Sequence, residues 1–460
     1  MSTSLFDASR RPVIVDGVLT QAMSSLVGGA FLAAFALALG ASNFQIGLLA
    51  AIPALGQLGQ LPAVPLIRRV GRRKPVAVGA AAASRVTWFA IAAVPLLAGP
   101  DTAFTLIAAL LLVASVFGSI GGVAWLSWMR DLIPMESMGR FFARRMQLAN
   151  GAAVVLSLAG GFFVDLWLRR GGTPALGYSV LFSLGAVLGI GAVLALSRAG
   201  EPGRAPPGQG LPGGAGDILH ELAEPFRNEN FRRLIAFSAA WTCTLTFAAP
   251  FYIVYMIERI GLPISTVILL SVVSQAMGIL LLPFWGRAVD RFSNSSVLGA
   301  AGTILLAAIL GWTFTTFPDV HPLTFPLLLT IHLAMGAAMA GITLATGNIS
   351  LKLSPRGEAE SYLTSLGLVN AGVAAASPVA AGALASVVDE ADLTLNLVLS
   401  EASRSFTLPA VSLRGLDFLF VVAFLLGLYS MHRLAFVQEE GTVDEGVVLE
   451  ELREQIMEDM

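Results

Sequence analysis

The chain has 460 residues, 56% of them hydrophobic and 13% charged, with a mean hydropathy of +0.77. A globular domain carries roughly 25% charged residues, so there are too few here to cover a water-facing surface, and most of that surface must face lipid. The formal charge of −2 hides an asymmetry: Glu439–Met460 holds nine acids and one base, which leaves the remainder at +6, a sign suited to anionic headgroups. One cysteine, Cys243, excludes intramolecular disulfides and multi-cysteine metal sites, and the four histidines lack metal-ligand spacing.

About 20 apolar residues cross a bilayer as a helix, and a helix satisfies its own backbone groups there. Twelve runs meet this demand, at roughly 16–39, 44–66, 76–98, 103–129, 144–168, 176–197, 232–257, 263–285, 296–317, 324–351, 359–387 and 415–434. The first follows Arg10 and Arg11, lacks a small-residue cleavage site and reads as a retained span. Between the sixth and seventh runs, Glu201–Gly216 is dense in proline and glycine and reads as a flexible linker. Asp217 then reads as the N-cap of a short amphipathic helix carrying Ile218, Leu222 and Phe226. A polar stretch, Asp389–Arg414, separates the last two runs. Val448, Leu452 and Ile456 make the acidic tail a candidate amphipathic helix.

The two halves of the chain repeat one pattern. Leu61-Pro62 leads into Arg68–Lys74, and Leu282-Pro283 leads into Gly286–Arg291, 221 residues further on. Pro134 and Pro355 keep that offset, while Asn150 with Asn370 and Ser157 with Ser377 are 220 apart. The predicted class is therefore an all-α polytopic membrane protein, its twelve helices in two pseudo-symmetric six-helix bundles. The predicted domains are a first bundle (1–197), a cytoplasmic linker (198–231), a second bundle (232–434) and an acidic tail (435–460). With both termini cytoplasmic, 22 of the 28 lysines and arginines fall on the cytoplasmic side.

Parallel six-span halves form a known transporter plan, with the substrate between halves near the midplane. In span count, central linker and loop motif the whole chain resembles the major facilitator superfamily. That family's loop signature, Gly-x-x-x-Asp-Arg, is matched by Gly286, Asp290 and Arg291. The first-half loop matches only its latter part, with Arg69, Gly71, Arg72 and Arg73, while Val64 and Arg68 stand where glycine and aspartate are expected. The resemblance implies that these loops latch helix ends, the carboxylate pairing with a neighbouring helix and the glycine allowing close approach. Enforcing topology is the competing role for Arg68–Lys74. Many drug–proton antiporters of the superfamily carry an arginine in span four and a Gly-Pro motif in span five. The fourth run here has no arginine and the fifth no proline. Trp125–Pro134, followed by Gly139-Arg140-Phe141, resembles a bacterial branch that implies no substrate.

An ionisable group inside a span is functional by default when it faces the bundle. Arg85, about 14 Å into the third run at 1.5 Å per residue, would bind an anionic solute or pair with a carboxylate. His332 in the tenth run would carry a proton or sit neutral against a backbone carbonyl. Gln21, Ser24 and Ser25 in the first run, and Ser238, Trp241, Thr242, Thr246 and Tyr255 in the seventh, offer polar groups for a pocket or for helix packing. Asn150 and Asn370 read as interhelical bonding groups or substrate contacts across the pore. Trp125 and Trp128 suit an interfacial belt or ligand stacking. Asp16 is expected to pair with Arg10 or Arg11 or to act as a gating carboxylate, and Asp165 to lie at the interface.

These features predict a secondary transporter in the cytoplasmic (inner) membrane that moves a small organic solute by alternating access. It needs no cofactor and no nucleic acid, is expected to be a monomer, and takes protons as the candidate coupling ion through His332, Asp16 or Asp165. No Gly-x-x-x-x-Gly-Lys-Ser/Thr loop occurs for ATP, and no His-Glu-x-x-His or Gly-x-Ser-x-Gly for an intramembrane enzyme. The alternatives are a multidrug or metabolite efflux antiporter, and a non-transporting receptor or assembly factor that works through the tail or through Asp389–Arg414.

Overall fold

A computed structural model of the chain describes residues 2–202, 222–317, 319–355, 359–401 and 404–439. Twelve of its helices are long and apolar enough to cross a membrane. They are Leu5–Ala38 (span 1), Asn43–Val70 (span 2), Arg73–Leu97 (span 3), Thr102–Leu132 (span 4), Ser137–Arg169 (span 5) and Pro174–Ser197 (span 6). The second half supplies Glu229–Arg259 (span 7), Ile264–Arg291 (span 8), Asn294–Phe314 (span 9), Thr324–Lys352 (span 10), Ser361–Val388 (span 11) and Asp417–Leu434 (span 12). Each of the twelve expected runs is a helix. The expected start of the linker helix at Asp217 and Ile218, the tail positions Val448, Leu452 and Ile456, and most of Glu201–Gly216 lie outside the described residues. Leu222 is helical and Phe226 ends a short 3-10 turn.

Local chemistry sets the ends. Ser42 and Gln45 form a reciprocal capping box that opens span 2. Gly71, at φ 70°, closes it in the left-handed conformation that glycine adopts without penalty. Span 1, expected as one run, is two helices, Ser2–Val27 and Gly29–Ala38. They meet at an extended Gly28 and at Gly29, whose φ is +54°. Span 2 passes through a 3-10 turn at Gln57–Gly59. Span 7 ends in a π turn at Tyr255–Arg259.

Backbone proximity divides the chain into two compact units, Met1–Pro212 with Met256–Ile268, and Gly213–Tyr255 with Leu269–Met460. The first span of each half packs on the fifth and sixth of that half, and the third packs on the fourth and sixth. This is the packing counterpart of the sequence repeat. The segment Met256–Ile268, placed by the sequence in the second bundle, goes with the first unit. Asp165 Oδ2 accepts from the Ser265 amide at 3.2 Å, capping the start of span 8 instead of facing an interface. Gly161 makes the approach possible, since a Cβ there would lie 2.9 Å from the Ser265 Cα.

The stretch Asp389–Arg414 is not simply polar. It forms an antiparallel ribbon of β1 (Asp392–Glu401) and β2 (Arg404–Arg414). Leu393, Leu395, Leu397 and Leu399 alternate with Thr394, Asn396, Val398 and Ser400, which is the period of a strand. Tyr255 is not a pocket hydroxyl either. Its Oη donates to Asp417 Oδ1 at 2.8 Å and lies 2.6 Å from Thr316 Oγ1, so the end of span 7 is tied to the start of span 12.

Candidate functional site

The first unit contains a buried ionic cluster built from spans 1, 3 and 5. Asp16, 6% exposed, accepts from Arg145 Nη2 at 3.3 Å and from Thr20 Oγ1 at 3.4 Å. Arg145 Nε donates to the Val13 carbonyl at 3.2 Å, and its guanidinium sits 4.8 Å from the Trp125 ring centroid. It fits because residue 17 is glycine: a Cβ there would collide with the guanidinium. Asp16 also interacts electrostatically with Arg85, whose Nε is buried without a hydrogen-bond partner and whose methylenes lie against Gly189 of span 6. Two guanidiniums thus face one carboxylate. The expected pairing of Asp16 with Arg10 or Arg11 is replaced by one with Arg145, which the topology count had placed among the cytoplasmic bases. Arg85 keeps its expected place inside the span, beside a carboxylate.

Gln21 and Ser24 are exposed on the same helix, ahead of the Gly28–Gly29 break, and Asn150 is exposed on span 5. In the second unit, Asn370 and Ser238 exchange hydrogen bonds at 2.8 and 3.1 Å, and Ser377 Oγ donates to the Cys243 carbonyl at 3.1 Å. Spans 7 and 11 are joined there, whereas Ser157 on span 5 bonds only its own helix, at Val154. Trp241 is buried with its indole nitrogen unpartnered, stacked on Phe237. Thr242 contributes its carbonyl to Thr246. His332 is 7% exposed, with Nδ1 2.8 Å from the Leu328 carbonyl of its own helix and its ring edge-on to Trp312. The sequence candidates are therefore dispersed within each unit. Two cavities, of ≈ 470 Å³ beside His321 and Thr330 and ≈ 350 Å³ beside Gln45 and Phe104, contain none of them.

At the loop between spans 2 and 3, Arg69 is exposed and Arg72 Nε bonds Glu201 Oε2 at 3.0 Å. Glu201 Oε1 also accepts the amides of Arg73 and Lys74 at 2.7 and 3.0 Å, capping the first turn of span 3. Arg73 pairs with Asp131 at the end of span 4, and Trp128 donates to the Gly200 carbonyl at 3.0 Å. Trp128 is fully buried, so it belongs to the core of this corner and not to an interfacial belt. The second unit repeats the device. Glu439 accepts from the Ser295 amide at 2.8 Å, from Asn294 Nδ2 at 2.7 Å and from Lys352 Nζ at 2.9 Å. Asn294, Ser295 and Lys352 each stand 221 residues after Arg73, Lys74 and Asp131. The cap is kept and the charge at the fourth-span end is reversed. Gly286 and Asp290 do not share in it: Asp290 is exposed, and a Cβ on Gly286 would meet no atom within 4 Å. Arg291 lies against the Phe292 ring. Sequence reasoning overlooked Glu201 and Glu439 because they fall in a linker and an acidic tail, yet they follow spans 6 and 12 by four and five residues.

Burial pushes the Glu439 carboxyl up, but the hydrogen bonds from Lys352, Asn294 and Ser295 outweigh it and hold the group below its ordinary 4.5. A depressed folded value stabilises the folded chain above the unfolded value, and that contribution is lost as pH falls through the folded one. Glu439→Gln should therefore cost about 1.5–3 kcal/mol at neutral pH, as for hydrogen bonds to a charged group. Thermal unfolding in detergent should show the gap from the wild type closing below pH 4.5.

No curated protein matches the chain by sequence. Among solved structures it resembles a mutant form of the nucleoside transporter NupG, with a TM-score of 0.69 at 12% identity over 94% of this chain and 100% of that one. A bacterial homologue of the iron transporter ferroportin aligns with a TM-score of 0.65 at 13% identity, over 94% and 99% of the two chains. A D-xylose–proton symporter gives 0.63 at 13% identity, over 96% and 98%. The sequence model of the Major Facilitator Superfamily matches residues 17–378. With twelve apolar helices in two repeated halves and this match over most of its length, the chain belongs to the Major Facilitator Superfamily of secondary transporters.

Proposed function

We propose that the protein moves a small organic solute across the cytoplasmic membrane by alternating access, both termini cytoplasmic, with a proton carried by Asp16. The observation that carries this reading is the burial of Asp16 between Arg145 and Arg85. Protonating that carboxylate removes the partner of two buried guanidiniums, so proton binding is tied to a rearrangement of spans 1, 3 and 5. The other titratable candidates are committed elsewhere, His332 to the Leu328 carbonyl and Asp165 to the Ser265 amide. The guanidiniums favour a solute with an anionic or strongly hydrogen-bond-accepting group, and Gln21 and Ser24 on span 1 offer it further polar contacts. Among the structural neighbours, one is named as a nucleoside transporter and one as a xylose–proton symporter, solutes of the expected size. The working form is expected to be a monomer.

The test is uptake into proteoliposomes under an imposed pH gradient, screened with nucleosides, sugars and small carboxylates. Asp16→Asn should abolish accumulation against a solute gradient while leaving solute exchange at equal concentrations intact. Accumulation at the wild-type level in that variant would remove Asp16 from the coupling path.

A further inference from the structure

The ribbon between spans 11 and 12 carries an unassigned surface. Its strands pair from Asp392↔Arg414 to Glu401↔Arg404, with one irregularity between Leu395 and Asn396 that leaves Ala410 as the extra residue. Directly opposed residues share a face. One face therefore takes Leu393↔Leu413, Leu395↔Val411, Leu397↔Leu408 and Leu399↔Phe406, without a polar member. The other takes pairs such as Thr394↔Ser412 and Ser400↔Ser405. The irregularity makes this separation. Without the extra residue, Leu397 would oppose Pro409 and Leu399 would oppose Thr407, and the second half of the apolar row would be lost.

Leu393 and Leu395 are 45% and 54% exposed, so nothing in the chain covers the start of that row. The ribbon leaves the membrane helices almost directly, with three residues from Val388 to Asp392 and two between Arg414 and Asp417. Its root is fixed: Arg414 pairs with Asp392 at 2.8 Å, its amide donates to Asp417 Oδ2 at 3.0 Å, and the Gly415 amide donates to the Ala391 carbonyl at 3.1 Å. Val387, at the end of span 11, and Leu323, at the start of span 10, are 80% and 67% exposed, which marks the lipid-facing rim at this end. The apolar row continues that rim.

We propose that the ribbon is a membrane-interface anchor, lying along the bilayer surface with its leucine row against the acyl chains. Its two outer edges carry unpaired backbone groups, which cannot enter hydrocarbon, so it rests at headgroup level as amphipathic surface helices do. Asp392, Glu401, Arg404 and Arg414 cancel in charge. The attraction is therefore apolar and independent of anionic lipid.

The test uses the full-length protein on a Cys243→Ser background in phosphatidylcholine proteoliposomes, with bimane attached to Leu395→Cys or to Thr394→Cys. Lipid-borne bromine should quench the label at 395 and spare that at 394, and aqueous iodide should do the reverse. Leu393→Cys is expected to behave as Leu395→Cys and serves if the latter folds poorly. Equal iodide access at 394 and 395 would overturn the proposal. So would protection of 395 from both quenchers with crosslinking between copies, which would mark a protein interface, or lipid quenching that appears only when anionic lipid is added.

Discussion

Arg145→Met should destabilise the protein by about 3–5 kcal/mol, the usual cost of stranding one member of a buried ion pair. Asp16 is 6% exposed and would retain only Thr20 and the more distant Arg85. The variant also empties the space over Gly17 and beside Trp125, so lost packing adds to lost charge. Asp16→Asn combined with Arg145→Met should recover most of the stability, because it leaves no unpaired carboxylate in the cluster. It should not recover proton-driven accumulation. This split separates the two roles: thermal unfolding in detergent reads the ion pair, and uptake under a pH gradient reads the coupling. If Arg145→Met unfolds at the wild-type temperature, the pair contributes nothing and the proposed coupling loses its physical basis.

The spans were legible because lipid allows few alternatives. A run of some twenty apolar residues must be helical, and the duplication at 221 residues placed the halves. Arg145 was misplaced for a reason built into the positive-inside rule, which reads charges near span ends and is blind to a guanidinium folding back into the bundle. The clue was Gly17 beside Asp16, a missing side chain next to an acid in an apolar run. Glu201 and Glu439 were hidden by composition, since proline and glycine around one and acids around the other mark those segments as solvated. Had the 221-residue repeat been carried to the ends of spans 6 and 12, both would have surfaced. The ribbon was missed because its leucines are too few to raise hydropathy, although their spacing of two is a strand signal. The exposed Asp290 and unencumbered Gly286 are the reverse case, a motif plain in the sequence whose expected contacts are not made among the described residues. Whether they act in transport is a question of motion, which spacing does not encode.

Gly336→Ala should be the most damaging single-methyl change in the second unit. A Cβ at Gly336 would overlap the carbonyl of Ser274 in span 8, 2.7 Å from its carbon and 2.9 Å from the Cα. One at Gly278 would lie 3.1 Å from the Gly336 carbonyl oxygen, so both backbones need glycine at this crossing. The colliding atoms are backbone and cannot rotate away, so the spans must separate. Separation would strain the Trp285 Nε1 hydrogen bond to the Ala337 carbonyl, now 2.8 Å, one residue further along. Alanine does favour the helix over glycine by about 1 kcal/mol, but overpacking typically costs about 1–3 kcal/mol and more where backbone must move. The clash should win. Gly347→Ala on the same span is the internal control, since nothing lies within 4 Å of its Cβ position. It gains the helix preference without the clash and should be neutral or slightly stabilising. Melting the two variants side by side in detergent decides the matter: equal midpoints would mean that spans 8 and 10 do not meet at Gly336. A lowered midpoint for Gly336→Ala alone would establish that glycine there sets the distance between the two helices.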